Sequence, residues 1–141
     1  MSMTKPTPAV DGEPCGKLTV QLVAMPRNTN ANGDIFGGWV LSQMDVACGV
    51  AARDIAQGRA VTVAIDAMTF IRPVKVGDML CVYAALERIG RTSMRIHVEA
   101  WVQRFLAHRQ EKVTDATFTF VAVDDAGRPR PVLRQDVKAD S

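Results

Sequence analysis

A single helical pattern stands between one strand-like run and four more, and this order restricts the possible folds more than any other feature. The helix is predicted over residues 37–57, with Gly58 at the left-handed position that ends it. One helix cannot bury its own apolar side, so an antiparallel sheet must cover it. The 141 residues fit one domain, since domains commonly hold about 100–200 residues. The sequence therefore predicts an α+β fold with one helix against one sheet.

Five runs have the alternation or the β-branched composition of strands. They cover residues 17–25, 60–72, 79–89, 93–102 and 112–123. In the fourth run every second residue is apolar, from Met94 to Val102, and this face is predicted to lie in the core. The opposite face, which includes His97 and Glu99, is predicted to be largely wet, with Trp101 as the exception.

The two ends of the chain lack such patterns. Prolines interrupt residues 1–14, and prolines and basic residues recur in 128–141. We therefore expect a flexible N-terminal arm over 1–14, one folded domain over 15–127 and a flexible C-terminal tail over 128–141. The arm contains no apolar run of the kind that forms a signal peptide or a membrane span.

Charge and cysteine content argue against several classes of function. With 17 basic and 15 acidic residues the net charge is +2, which is too balanced to indicate nucleic-acid binding. The three cysteines, Cys15, Cys48 and Cys81, are widely separated and form no zinc-binding pattern. Reduced thiols are typical of a cytoplasmic protein. His97 and His108 have no other ligand at metal-binding spacing, so we expect no metal site.

The helix is preceded by a polar, glycine-rich loop, NANGDIFGG at residues 30–38. Free N–H groups at a helix start can bind an oxyanion. At 100° per residue, Asp45 falls at the edge of the apolar stripe and not on the polar side. A carboxylate there must be paired, protonated or functional, because burying it is costly. Each feature also has a purely structural explanation. Asp45 could cap backbone N–H groups or pair with an arginine. Gly37 and Gly38 could only permit close packing of the helix start against the sheet.

The turn Arg91-Thr92-Ser93 is a weaker candidate. It combines a cation, two hydroxyls and hairpin N–H groups, which suit a phosphate, although most such turns only reverse the chain. The chain contains no GxSxG, which excludes the nucleophile elbow of serine hydrolases.

Several motifs together resemble one family. They are Ala24-Met25-Pro26, the long run from Thr29 to Trp39, Ser42-Gln43-Met44-Asp45, Gly58-Arg59 with Val61-Thr62-Val63, Pro73 with Val76-Gly77-Asp78, and Phe120-Val121-Ala122-Val123-Asp124. This set is similar to the hotdog-fold acyl-coenzyme A thioesterases, in particular to the small bacterial broad-specificity YciA-like branch. The resemblance covers roughly residues 22–131.

The resemblance implies a long central helix wrapped by a curved antiparallel sheet of five or six strands. It also implies dimers formed by sheet pairing, usually a trimer of dimers, with active sites at the dimer interface. In such a site Asp45 carries catalysis, Asp34 comes from the facing subunit, and Gly37 helps to hold the thioester carbonyl. The turn at 91–93 then meets the nucleotide of coenzyme A.

Two features depart from the family pattern. Ala47-Cys48 stands where the family usually has two glycines, so the added side chains could narrow an acyl tunnel. The hairpin at 105–112 is shorter than usual, which could alter a contact at the rim of the site.

These observations predict hydrolysis of an acyl-coenzyme A thioester to a free acid and coenzyme A. The N–H of Gly38 would polarise the carbonyl, and Asp45 would act as general base or nucleophile. Asp34 or Asn32 would orient water or the thioester, and no cofactor is required.

Three other functions remain open. A hotdog dehydratase would need a histidine near the helix start, which is absent here. An acyl-coenzyme A sensor would need a DNA-binding segment. A non-catalytic acyl-coenzyme A-binding oligomeric module would bind without cleaving.

Overall fold

The computed structural model describes residues 12–104 and 109–133. In chain order the elements are β1 (Lys17–Val23), a short 3-10 helix (Pro26–Asn28), α1 (Gly37–Ala56), β2 (Ala60–Ile65), β3 (Met79–Ile89), β4 (Ser93–Gln103) and β5 (Gln110–Ala122). The strands form one antiparallel sheet in the order β1-β3-β4-β5-β2. The predicted α+β architecture, with one long helix on one five-stranded sheet, is confirmed.

The helix packs across the sheet and contacts all five strands. Its fully buried face consists mostly of small residues, which let the helix approach the sheet closely: Val40, Met44, Ala47, Cys48, Ala52 and Ala56. The sheet contributes larger apolar side chains to the same core, among them Leu80, Ile96, Phe118 and Phe120. The opposite side of α1 leaves Val46 and Val50 about half exposed, with relative exposures of 52% and 51%.

The helix ends at Ala56, one residue before the predicted end at residue 57. Gln57, not Gly58, adopts the left-handed conformation, with φ 53°. Its side-chain amide donates to the Asp54 carbonyl at 2.7 Å, and the Gly58 N–H donates to the Arg53 carbonyl at 3.2 Å. These bonds satisfy carbonyls in the last turn and offset the cost of a left-handed non-glycine residue.

The second predicted strand is shorter than expected, because β2 ends at Ile65 and not at Arg72. Residues 66–72 still run beside β5, but their hydrogen bonds are sparse. The Asp66 N–H donates to the Thr117 carbonyl at 3.0 Å, and the next backbone bond comes from Ile71. Between them the Thr114 hydroxyl donates to the Thr69 carbonyl at 2.8 Å. Residues 66–72 thus follow β5 through scattered backbone and side-chain bonds and not through regular pairing.

The outer face of β4 is drier than its sequence predicts. Trp101 is buried as expected, but Glu99 is also only 6% exposed. The N-terminal segment reaches this face, since the Cys15 N–H donates to Glu99 Oε1 at 3.1 Å. Gly16 then passes so close that a Cβ there would lie 2.8 Å from backbone atoms of Ala84. A chain segment crossing the strand removes Glu99 from water.

The chain continues to pack after residue 127. Val132 is buried, and its N–H donates to the Arg91 carbonyl at 2.9 Å. Arg130 donates to the Ala56 carbonyl at 2.9 Å, where α1 ends. Residues 128–133 therefore lie against the domain, whereas the expectations for 1–11, for His108 and for 134–141 fall outside the described residues. Within the described ranges, no helix has both the length and the hydrophobicity needed to cross a membrane.

Candidate active site

The loop before α1 is ordered by one asparagine side chain. Asn30 Oδ1 accepts hydrogen bonds from the N–H groups of Asn32 at 2.8 Å and Asp34 at 3.2 Å. The Asn30 N–H donates to the Asp34 carbonyl at 2.7 Å, and Gly33 supplies the positive φ of 84° that closes the turn. No partner among the described residues uses the amide nitrogen of Asn30, so it remains available as a donor.

The helix begins with two N–H groups that no described residue accepts a hydrogen bond from. Trp39 and Val40 make the first helical bonds, to the Phe36 carbonyl, and no side chain caps the helix. Within the described residues, the N–H groups of Gly37 and Gly38 therefore have no acceptor. A Cβ at Gly38 would meet no atom within 4 Å, so an oxygen atom can approach its N–H group. This is the geometry of an oxyanion site at a helix start.

A cleft of about 350 Å³ opens beside this helix start. Asn30, Asp34 and Gly37 line it, together with Ile35, Val40, Phe70, Ile71, Arg72, Pro73 and Val74. Asp34 is held by an ion pair with Lys75. Two predicted site residues, Asp34 and Gly37, thus line one cleft, and Asn30 joins them although the sequence did not mark it as a site residue. The predicted Asn32 donates its N–H to Asn30 but does not line the cleft.

Asp45 lies on the flank of α1 that faces the edge strand β2. It is half-buried, and its Oδ1 accepts a hydrogen bond from the Thr62 hydroxyl at 2.6 Å. The expectation that Asp45 borders the apolar stripe is confirmed, because Met44 and Cys48 beside it are fully buried. Thr62 was not predicted as a partner of Asp45, although a hydroxyl within the otherwise apolar run AVTVAI of β2 was a visible signal.

The charge of Asp45 affects a neighbouring thiol. Burial raises the pKa of Cys48 to about 12, and repulsion from the Asp45 carboxylate adds to the effect. Cys48 is therefore a neutral core residue and no candidate nucleophile.

The turn at 91–93 lies at the other end of the helix. The Arg91 carbonyl is bonded by the Val132 N–H, and the Thr92 carbonyl by the Ala122 N–H. Ala122 pairs with Ala60, which follows the last turn of α1. A 20-residue helix is about 30 Å long, so this turn and Asp34 do not meet within one chain.

A group of possible metal ligands lies on the outer face of the sheet. The side chains of His97, Glu99 and Asp115 place one ligand atom each within 4.8 Å of one another, so the prediction that His97 lacks neighbours at ligand spacing is wrong. Asp115 stands opposite Glu99 in the register of β4 and β5, which spacing along one strand cannot show. Each carboxylate already has protein partners, including Lys112 on Asp115.

Hydrogen bonds determine the charge state of Glu99. Burial alone would raise its pKa, but bonds from His97, the Trp101 indole and the Cys15 N–H outweigh burial. The pKa of Glu99 is therefore lowered, and this carboxylate anchors the N-terminal segment as a buried anion.

Residues 32–104 match the model of the Thioesterase superfamily. The chain is 48% identical to the acyl-CoA thioester hydrolase YciA of Salmonella typhimurium over 126 residues, which cover 87% of this chain and 95% of the relative. It is 49% identical to YciA of Escherichia coli K12 over 120 residues, covering 83% and 91%.

Solved structures give the same result. One of them is an Asp-to-Ala mutant of HI0827, a hexameric broad specificity acyl-coenzyme A thioesterase. It matches with a TM-score of 0.83 and 47% identity, covering 88% of this chain and 91% of that one. The hexameric thioesterase y2039 of Yersinia pestis matches with a TM-score of 0.82 and 50% identity, covering 86% and 99%. The helix-on-sheet fold, the matched residues and the near-complete coverage of these relatives lead to one conclusion: the chain belongs to the hotdog-fold thioesterase superfamily, in its YciA branch.

Proposed function

We propose that this protein hydrolyses acyl-coenzyme A thioesters to a free acid and coenzyme A. Its relatives are named acyl-CoA thioester hydrolases, and its structural neighbours are acyl-CoA thioesterases. The observation that carries the proposal is a half-buried aspartate, oriented by Thr62, on a helix whose first two N–H groups have no acceptor among the described residues. The aspartate supplies a base or nucleophile, and the helix start supplies an oxyanion donor to the Asp45 of a facing subunit.

The chemistry divides between the two groups. The Gly38 N–H, aided by the helix dipole, stabilises the negative charge that develops on the thioester oxygen. Asp45 either removes a proton from the water that attacks the acyl carbon, or attacks that carbon itself and forms an anhydride that water then cleaves. In both routes the carbon–sulfur bond breaks and coenzyme A leaves as a thiolate that takes up a proton.

We propose that a second subunit completes each site. Gly38 and Asp45 lie two helical turns apart, about 10 Å along the axis, and the cleft at Asn30 lies at the helix start. A copy facing the β2 edge would bring its own cleft towards Asp45. The solvent-exposed Val61, Val63 and Ile65 on this edge support such pairing, since an apolar edge strand is otherwise prone to aggregate.

The proposed assembly is a dimer through β2 and a trimer of such dimers, in line with the hexameric neighbours. In this assembly Asp34 and the Asn30 amide would orient the thioester or water, in place of Asn32. Arg91, Thr92 and Ser93 would meet the nucleotide of coenzyme A. We place the enzyme in the cytoplasm, consistent with three free cysteines.

Asp45→Asn tests the proposal, because it keeps the shape of the side chain and removes its charge. We expect normal folding and native mass, with turnover reduced about 10²–10⁴-fold, the usual contribution of a positioned acid–base group. Release of free thiol from acyl-coenzyme A, followed with a chromogenic reagent, measures it. Asp54→Asn is the matched control, since Asp54 is exposed on the same helix.

The outcomes separate the two candidate functions. Wild-type turnover in Asp45→Asn would remove Asp45 from the mechanism. Tight binding of acyl-coenzyme A without cleavage by the wild type would instead favour the non-catalytic binding module.

A further inference from the structure

The cleft beside the helix start has an apolar wall that the catalytic roles leave unexplained. Its most exposed apolar members are Phe70 and Ile71, at 43% and 48% relative exposure. Ile35, Val40 and Val74, which are buried, line the same cleft. Exposed apolar groups gathered in one concave site are typical of a ligand pocket.

Phe70 lies directly over the helix start. A Cβ on Gly37 would meet atoms of the Phe70 ring at 3.4 and 3.5 Å, so the ring packs on the backbone next to Gly38. The ring therefore bounds the cleft beside the N–H group assigned to the thioester oxygen. An acyl chain that runs into the cleft from a carbonyl group bound at Gly38 would therefore lie beside the Phe70 ring.

The polar groups of the cleft are mostly occupied by other parts of the protein. Asp34 pairs with Lys75, and Arg72 donates to the Lys112 carbonyl at 2.8 Å. Among the described residues that line the cleft, the Asn30 amide and the Gly37 N–H are donors that no protein group uses. Both are assigned to the thioester or to the attacking water, so the two amides of the pantetheine arm of coenzyme A would each lose hydration without a partner. A hydrocarbon chain has no such requirement.

We infer that this cleft holds the acyl chain and that the ring of Phe70 limits the length of chain that fits. The inference rests on the proposed hydrolase activity. Residues 66–72 suit this role because sparse ladder bonds hold them to β5, so the segment can change shape without breaking a regular strand pair.

The test is a set of kcat/KM values for saturated acyl-coenzyme A substrates of increasing length. For the wild type we expect about a fourfold rise per added methylene, equivalent to about 0.8 kcal/mol, up to the length that reaches the ring. Beyond that length kcat/KM should level off or fall. Phe70→Ala should move the break to longer chains and raise the ratio of long-chain to short-chain kcat/KM by about tenfold or more.

Leu86→Ala is the matched control. Leu86 is 44% exposed, like Phe70, but lies on β3 away from the cleft, so its removal should leave the length profile unchanged. Phe70→Leu adds a second readout, with an intermediate shift, in case the alanine variant folds poorly. Inhibition by free coenzyme A should be the same in wild type and Phe70→Ala, since coenzyme A lacks the acyl chain.

Each contrary result is distinct. A uniform loss of kcat/KM at every length, with weaker inhibition by coenzyme A, would show that the cleft holds pantetheine and would overturn the inference. An unchanged length profile in Phe70→Ala and Phe70→Leu would also overturn it. Absence of cleavage at every length in the wild type would refute the proposed function itself.

Discussion

Replacing Thr62 by valine removes the hydroxyl that donates to Asp45 Oδ1 at 2.6 Å and keeps the β-branched shape of the side chain. A hydrogen bond to a charged group contributes about 1.5–3 kcal/mol, which corresponds to roughly 10–150-fold in rate. Thr62 lies on the β2 edge that is proposed to face a second subunit. We expect kcat to fall by at least about tenfold, the lower end of that range.

The KM should change little, because the hydroxyl orients Asp45 and is not assigned to substrate binding. Turnover is measured by thiol release, with a blank lacking substrate because exposed Cys15 also reacts with the reagent. Thr62→Ser is the control, since it retains the hydroxyl and loses only a methyl group.

Two results would contradict the reasoning. Full turnover by Thr62→Val would mean that Asp45 needs no orienting donor. An equal loss in Thr62→Ser and Thr62→Val would assign the effect to packing of the methyl group and not to the hydrogen bond.

Two further predictions concern the helix start and the outer face. Gly38→Pro removes an N–H group that has no acceptor in the described part of the chain. Because proline is tolerated in the first helical turn, the melting temperature should hold while kcat falls about 10²–10³-fold. Gly38→Ala, which keeps the N–H, should lose much less activity. The pKa of Glu99 is lower in the folded protein than in the unfolded chain. Glu99 therefore contributes its full share to the free energy of unfolding above about pH 4.3, its unfolded pKa. That contribution is lost as the pH falls through the lower folded pKa. Urea unfolding of Glu99→Gln should therefore show lower stability at pH 7, by about 1.5 kcal/mol, and a shallower loss between about pH 5 and 3. Parallel pH curves for wild type and variant would refute this role.

The helix and its functional flank were predictable because their signals are local. The spacing of apolar residues predicted the end of α1 to within one residue. The helical angle of 100° per residue placed Asp45 beside the buried stripe. The errors arose where one segment meets another. Strand β2 was predicted too long because β-branched composition does not reveal that regular pairing with β5 ends at Ile65. The nearness of His97 to Asp115 depends on strand register, which sequence spacing does not encode.

By itself the sequence determined the class of fold, the position of a helix start after a glycine-rich loop and, through a long shared motif, the family. These follow from short-range periodicity and from an uninterrupted run of residues. Only the tertiary structure decided which hydroxyl holds Asp45, that a cleft walled by Phe70 adjoins Gly37, and that Glu99 is buried under the N-terminal segment. Those facts depend on distances between residues 17 to 84 positions apart, and such distances are set by how the helix and the strands pack.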